Sequence, residues 1–245
     1  MAEIKFPTEE VELPSKGLIY PKDNPLSNGK VEMKYMTAKE EDILTNQNYI
    51  RKGVVLDKLL KSLIVSDVNY DDLVVGDKNA ILIAARILGY GKDYDFQYNG
   101  EQVSIDLTEL ETQYISESSL TEGVNEFSFT LPHTKTPITY KLLTNRDERK
   151  IDAEIKGLKK IDKQASPELS TRLKYVITSV NGETEKKDIR DFVDNHMLAR
   201  DSRSFREHIK ITQPDIKMQF AYNGDNGVEE DATVPMTAGF FWPDL

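Results

Sequence analysis

Residues 11–30, VELPSKGLIYPKDNPLSNGK, are unlike any other stretch of the chain and decide how the rest is read. Pro14, Pro21 and Pro25 fix their own φ and push Leu13, Tyr20 and Asn24 toward extended conformations, so no helix can run through them. Gly17 and Asn28-Gly29 supply turns. An Asn-Gly pair favours positive φ at both central positions, which predicts a tight turn between Leu26 and Met33 that delivers the chain into VEMKYM. The stretch is therefore expected to be an extended arm. Its apolar residues, Leu13, Leu18, Ile19 and Tyr20, are too few to form a core alone and must dock either on the body of this protein or on another one.

After the arm, Thr37-Ala38-Lys39-Glu40 has the pattern of a capping box, so a short helix is expected from there to about Asn48. Gly53 leads into a second helix with Leu56, Leu59, Leu60 and Leu63 on one face. Asp77 is expected to cap a third, whose segment 80–88, AILIAARIL, is apolar nearly all round and should stop at Gly89 as the buried centre of the N-terminal half. Arg86 is its only charge, expected to pair with a carboxylate or to reach outward.

From Tyr90 to Tyr140 the pattern shifts to short alternating runs broken by Gly and Pro, the mark of antiparallel strands. An internal echo stands out. Residues 96–101, FQYNGE, match residues 220–225, FAYNGD, and each places an Asn-Gly turn after an aromatic strand, so two hairpins are expected.

The third section is helical. Ile151, Ile155, Leu158 and Ile161 form one stripe, Ser166-Pro167 reads as a helix start, and Leu169, Leu173, Val176, Ile177 and Val180 keep helical spacing as far as Asn181-Gly182. Ile189, Phe192, Val193 and Met197 begin another helix. A last one should start near Asp201 or Ser202, turn Phe205 and Ile209 inward, and end before Pro214.

The fold class is thus α+β. An extended arm occupies 1–36, a helical lobe 37–90, a β-rich region 91–140, a bundle-like helical lobe 141–213, and a hairpin with an aromatic tail 214–245.

Composition narrows the function. The 245 residues carry a net charge of −10 and no cysteine, which excludes disulfides, thiol catalysis and cysteine-ligated zinc. No apolar run approaches the length of a membrane span, and MAEIKFPTEE lacks the features of a signal peptide, so the protein is expected to remain where it is made. Segment 135–174 runs against the overall balance with eleven Lys or Arg and six acids, a local +5 that leaves −15 on the remainder. It is either a solvated basic helix face or a surface for an acidic partner.

No phosphate-loop, nucleophile-elbow or H-E-x-x-H pattern occurs, and Gly89-Tyr90-Gly91 closes a helix where a phosphate loop must open one. Of the three histidines, His196 falls on the Phe192/Val193 face while His133 and His208 look exposed; none has a partner group nearby in sequence. Asp201 with Arg203 and Arg206 suggests a structural latch of ion pairs at a helix start. At the other end Phe240, Phe241, Trp242 and Pro243 put a large apolar load where a chain end normally frays, so the tail must pin to its own body or anchor in another subunit.

Three separated stretches carry a resemblance. LPSKGLIYP (13–21) with NGK (28–30) and MTAKEEDIL (36–44), the pair SVNG (179–182) and IRDFVDNHMLARDSRSFR (189–206), and VPMTAGFFWP (234–243) are together similar to the T-even-type bacteriophage baseplate hub assembly family, in the right order and over nearly the whole chain. The resemblance implies a phage late protein that promotes hub assembly or stays as a hub component, in the host cytoplasm during assembly or in the virion baseplate. It implies recognition of other hub proteins, with no catalysis, cofactor or small-molecule substrate. Relatives carry paired cysteines that suggest metal-bound knuckles; this chain has none, so its hairpins are expected to be held by side-chain packing alone. On this view the partner contacts are Leu13, Pro14, Gly17, Leu18, Tyr20, Pro21, Asn28, Gly29 and Lys30 in the arm, and Phe240, Phe241, Trp242 and Pro243 in the tail. The alternative is an acidic regulatory or nucleic-acid adaptor using segment 135–174, which the net charge and the lack of interleaved aromatics make the weaker expectation.

Overall fold

The computed structural model describes residues 7–116, 120–164, 166–223, 229–236 and 238–242. Its class is α+β, with helices and small antiparallel sheets interleaved along the chain.

Strand β1 (Thr8–Glu12) pairs antiparallel with β2 (Lys30–Lys34), Thr8 facing Lys34 and Glu12 facing Lys30. The Pro-rich stretch is the loop between them, and it is a chain of tight turns where an extended arm was expected. The amides of Lys16, Leu18 and Tyr20 donate to the carbonyls of Leu13, Ser15 and Gly17 at 2.8, 3.1 and 3.1 Å. Lys16 and Gly17, both left-handed at φ 53° and 76°, reverse the chain between the prolines. A Cβ on Gly17 would lie 2.4 Å from the Ser27 carbonyl oxygen, so only glycine lets the loop close on itself. Of the Asn28-Gly29 pair only Gly29 is left-handed, at φ 69°, because Asn28 completes a 3₁₀ turn over Pro25–Asn28.

Helix α1 (Ala38–Leu44) opens with the expected capping box, and the buried Glu40 carboxylate also accepts from Lys34 Nζ at 2.8 Å and Ser62 Oγ at 2.7 Å. Burial alone would raise the Glu40 pKa, but the donors from Lys34, Thr37 and Ser62 outweigh it and hold it at about 2. This helix stops short of Asn48 because Asn46 starts α2 (Gln47–Lys52) by accepting from the amides of Asn48 and Tyr49. Next, α3 (Val55–Leu63) buries Leu59, Leu60 and Leu63.

The centre of the molecule is α4 (Val75–Tyr90), which buries Ala80 to Ile83, Ala85 and Arg86. It runs one residue past Gly89 and ends at Gly91, φ 85°. Arg86 is buried and, among the described residues, pairs with no carboxylate. Its guanidinium donates to the carbonyls of Gly91 and Asp93 at 2.8 and 3.1 Å, capping the exit of its own helix, among the rings of Tyr90, Tyr94 and Phe240.

Strands β3 (Asp93–Tyr98) and β4 (Glu101–Asp106) form the first echo hairpin, with Asn99 and Gly100 left-handed at φ 49° and 86° as the Asn-Gly turn requires. After β5 (Thr112–Gln113), the strands β6 (Phe127–Thr130) and β7 (Pro137–Tyr140) begin a three-stranded sheet. Two helices follow, α5 (Asn145–Ile161) and α6 (Glu168–Val176). The helix expected to continue to Val180 breaks at Val176. Residues 177–180, ITSV, favour extended backbone and become β8 (Ile177–Val180), pairing with β7 from Ile177 opposite Tyr140 to Val180 opposite Ile138. The C-terminal lobe is therefore helices around a sheet and no bundle. Helices α7 (Lys186–Asp191) and α8 (Ala199–Thr212) complete it, and Phe205 packs its ring 5.2 Å from Tyr140 and 5.5 Å from Phe129.

Finally β9 (Asp215–Ile216) returns to β5, and β10 (Gln219–Asn223) pairs with β11 (Glu229–Thr233) as the second echo hairpin. The two echoes meet face to face. Phe96 lies 5.3 Å from Phe220, and Tyr98 lies 5.3 Å from Phe220 and 4.9 Å from Tyr222, all edge-on, so aromatic packing joins the hairpins. Gly224 and Asp225 of the second turn lie outside the described residues. One apolar cluster runs through these parts from Leu13 to Phe241.

Candidate functional site

The arm is held by a carboxylate in the first turn of α4. Asp77, fully buried, accepts from the Ser15 amide at 2.9 Å, from Ser15 Oγ at 2.6 Å and from the Tyr20 hydroxyl at 2.6 Å. The Tyr20 oxygen in turn accepts from the Val74 amide at 3.0 Å. Asp77 is thus no cap of its own helix: Val74 is the N-cap residue and its side chain makes no capping bond. Burial, the dominant influence, raises the Asp77 pKa despite the donors from Ser15 and Tyr20, and the charge of Asp215 adds to the rise. Burial and the neighbouring carboxylate also push the Tyr20 hydroxyl well above its ordinary value. Next to it, Gly76 packs against Pro214 so closely that a Cβ would fall 1.7 Å from the Pro214 oxygen, which pins the start of α4 to the β9 segment.

A second carboxylate does the same work in the C-terminal lobe. Asp201, in the first turn of α8, accepts from the amides of His133 at 2.8 Å and Thr134 at 3.1 Å, in the β6–β7 turn. The expected latch of Asp201 with Arg203 and Arg206 does not form: Arg203 pairs with Glu207 one turn along the helix, and Arg206 points to a cleft. Burial would raise the Asp201 pKa, but the hydrogen bonds from His133 and Thr134 overcome it and lower it.

The tail docks on this chain. Tyr94 donates its hydroxyl to the Pro235 carbonyl at 2.9 Å, Phe240 meets the Tyr94 ring edge-on at 5.0 Å, and Trp242 Nε1 donates to the Leu44 carbonyl at 3.1 Å. Phe240 and Phe241 are buried and Trp242 half-buried. Pro243 lies outside the described residues.

These placements correct the expected partner contacts. Leu13, Pro14, Gly17, Tyr20, Gly29, Phe240 and Phe241 are buried in this chain's own core, because their apolar surface finds cover on α4 and the first hairpin. Of the same set Pro21, Asn28 and Lys30 are exposed, and Leu18 and Trp242 are half-buried.

Two of the three histidines also differ from expectation, while His133 is exposed as expected. His196 is exposed, with Nε2 3.2 Å from Asp191. His208 is half-buried, stacked 4.4 Å from the Phe129 ring and hydrogen-bonded to the Tyr140 hydroxyl at 2.9 Å; burial lowers its pKa. Among the described residues no group of three His, Asp or Glu is placed to hold a metal ion, and no helix is long and apolar enough to cross a membrane.

The structure assembles one concavity that sequence spacing does not show. A cleft of about 490 Å³ opens between the start of α4, the 141–145 linker, α6 and α8. Val74, Leu142, Leu143, Leu173, Val176 and Ile209 give it apolar walls, while Lys78, Lys141, Glu148, Asp152, Arg172 and Arg206 bring charge to it. Most of these charges are already matched: Lys78 by Asp57, Lys141 by Asp147, and Arg172 by a two-pronged contact with Glu148 at 2.5 and 2.7 Å. Such a cleft suits an apolar side chain delivered by a polar segment.

Segment 135–174 is largely neutralised in the same way. Besides Lys141 and Arg172, Arg146 pairs with Asp72, Arg149 with Asp71, Lys159 with Glu168 and Lys174 with Asp194. Among the described residues Lys135, Lys150, Lys156, Lys160 and Lys163 have no ion pair.

Comparison with protein-family models, with curated proteins and with solved structures finds no match to this chain.

Proposed function

We propose that this chain is a baseplate hub component or hub assembly factor of a phage, acting by protein recognition and without catalysis. The observation that carries this reading is where the family-like stretches lie. The arm closes on Asp77, the 189–206 run supplies Asp201 and Phe205, and the tail closes on Tyr94 and Leu44, so the residues that resemble the family are those that fasten this fold together. A chain that kept these fasteners keeps the body on which hub contacts would be displayed. Because the fasteners are buried, the contacts themselves belong to exposed surface: the Pro21, Asn28 and Lys30 rim of the arm, the cleft, and the outer end of α5. On this reading the protein works in the host cytoplasm during assembly or in the virion baseplate.

Capture of proteins from infected-cell lysate on the purified chain, with quantitative mass spectrometry of purified virions, tests it. Hub proteins should be enriched over those held by an unrelated acidic protein of similar size. No enrichment of any baseplate protein, together with absence of the chain from virions, would overturn it. The nucleic-acid reading draws no support from the ion pairs that occupy most of the basic segment.

A further inference from the structure

The cleft has a buried apolar floor and an exposed, charged mouth. Val74, Leu142, Leu143, Leu173 and Val176 are buried among its lining residues, whereas Asp152, Leu169 and Arg206 are exposed. Helical spacing turns each of these three toward the cleft. Asp152 lies one turn from Glu148 on α5, Leu169 one turn from Leu173 on α6 and Arg206 one turn from Ile209 on α8, and all six residues line the same concavity. The remaining charges of the lining are matched, Lys78 by Asp57, Lys141 by Asp147 and Arg172 by Glu148. Asp152 and Arg206 are not: among the described residues neither side chain makes an ion pair or a hydrogen bond, with the other or with any third group. The mouth therefore offers one unmatched carboxylate and one unmatched guanidinium, on different helices, above aliphatic walls and beside a Leu169 that is 46% exposed.

We propose that the cleft seats a segment of another protein in which large aliphatic residues are flanked by a basic residue on one side and an acidic residue on the other. The aliphatic side chains fill the floor and cover Leu169, the basic residue meets Asp152, and the acidic residue meets Arg206. The two signs decide the occupant, because each free charge at the mouth calls for its opposite and the floor calls for hydrocarbon. Nucleic acid would meet Arg206, but Asp152 and Glu148 would repel its phosphates and the floor would stay uncovered. A fatty carboxylate would suit Arg206 and the floor, yet nothing in it answers Asp152. The assignment goes beyond the hub reading, on which it rests only in taking the partner to be a protein.

The test uses the full chain and labelled peptides that share a Leu-Leu core, flanked by Lys then Glu, by Glu then Lys, by Lys on both sides or by Glu on both sides, read by fluorescence anisotropy. One of the two dipolar peptides should bind more tightly than both like-charged ones, and serines in place of its leucines should abolish binding. Arg206→Glu or Asp152→Lys should each weaken it by about tenfold, and the double variant should turn the preference to the dipolar peptide of opposite order. Both side chains are exposed, so all these variants should melt as the wild type does. Absence of binding, binding of a like-charged peptide as tight as that of either dipolar one, or no reversal in the double variant overturns the proposal. So does Arg206-dependent binding of decanoate or of a DNA duplex that displaces the peptide, and so does self-association of the wild type that Arg206→Glu removes. Peptide binding with no hub protein captured from lysate would sink the hub reading alone; hub proteins captured equally by wild type and double variant, with no peptide bound, would sink the cleft assignment alone.

Discussion

Asp77 and Asp201 occupy the same place in two different helices, the third position of α4 and of α8, and neither caps its own helix. Each reaches out to seize a turn that is distant in sequence: Ser15 and Tyr20 in one case, His133 and Thr134 in the other. Burial pushes both carboxyls up, yet the first ends above its ordinary value and the second below it. The difference lies in the balance: at Asp77 burial and the charge of Asp215 outweigh the donors, and at Asp201 the donors outweigh burial. Asp201 receives two fixed backbone amides, whose dipoles cannot turn away, together with the Thr134 side chain, and all three favour the ionised form. Asp77 receives two hydroxyls and a single amide, deep beside Asp215, and hydroxyls can rotate to serve a neutral partner. One motif thus gives a charge-dependent fastener in the C-terminal lobe and a shape-dependent one in the N-terminal half.

The largest expected effect comes from deleting the first fastener. Asp77→Ala should cost about 4 kcal/mol in urea unfolding, because Ser15 and Tyr20 lose their acceptor inside the core and the loop loses its anchor. If the loss is under about 1 kcal/mol, the arm is held by its apolar residues alone and the parallel with Asp201 fails.

Asp201→Asn is next, at about 2–3 kcal/mol. Asparagine has one acceptor oxygen, so one of the two amides at His133 and Thr134 must face an NH₂ group and stays unsatisfied. The loss should appear as a lower urea midpoint with an unchanged slope.

Asp77→Asn should cost less, about 1 kcal/mol. Here the Ser15 and Tyr20 hydroxyls can reverse and accept from the new amide, while the unfavourable buried charge disappears. An Asn at 77 more damaging than an Asn at 201 would mean that the ionised form of Asp77 is the one the fold needs.

Much of the scaffold was legible from local pattern and the fasteners were not. The capping box at Thr37–Glu40 and the buried run from Ala80 follow from neighbours three or four residues apart, and the turn at Asn99-Gly100 needs only its own two residues. The echo FQYNGE and FAYNGD foretold two hairpins, though not that their rings would interlock. Asp77 looked like a cap because a short acid in the first turn usually is one; its true partners lie 57 and 62 residues upstream. Residues 177–180 kept helical spacing by coincidence, and the pairing with β7 outweighed it. The cleft draws its walls from separate stretches of chain between Val74 and Pro214, which no window of sequence brings together. The exposed end of the α5 stripe was invisible for the opposite reason: periodicity reports a face, not how far the body extends beneath it.

The smallest effect is the most discriminating, and it is a matter of sign. For Asp201 the folded pKa lies below the unfolded one, so its stabilisation is full above the unfolded value, ~3.9, and drains away as pH falls through the folded pKa. For Asp77 the folded pKa lies above the unfolded one, so the folded state binds the proton more tightly and stability is lost as pH rises from ~3.9 through the folded value. Urea unfolding of wild type and each Asn variant at pH 7 and pH 4 separates the two, because subtracting the variant cancels the titration of every other group that the substitution leaves undisturbed. The advantage of wild type over Asp201→Asn should shrink in acid, whereas its advantage over Asp77→Asn should grow. Glu40, held at about 2 by Lys34, Thr37 and Ser62, begins to lose its contribution as pH falls below its unfolded value, but it does so equally in wild type and variants and cancels from both differences. Differences that move in the same direction would show that the hydroxyls around Asp77 act as amides do around Asp201, and the contrast between a charge-dependent and a shape-dependent fastener would be lost.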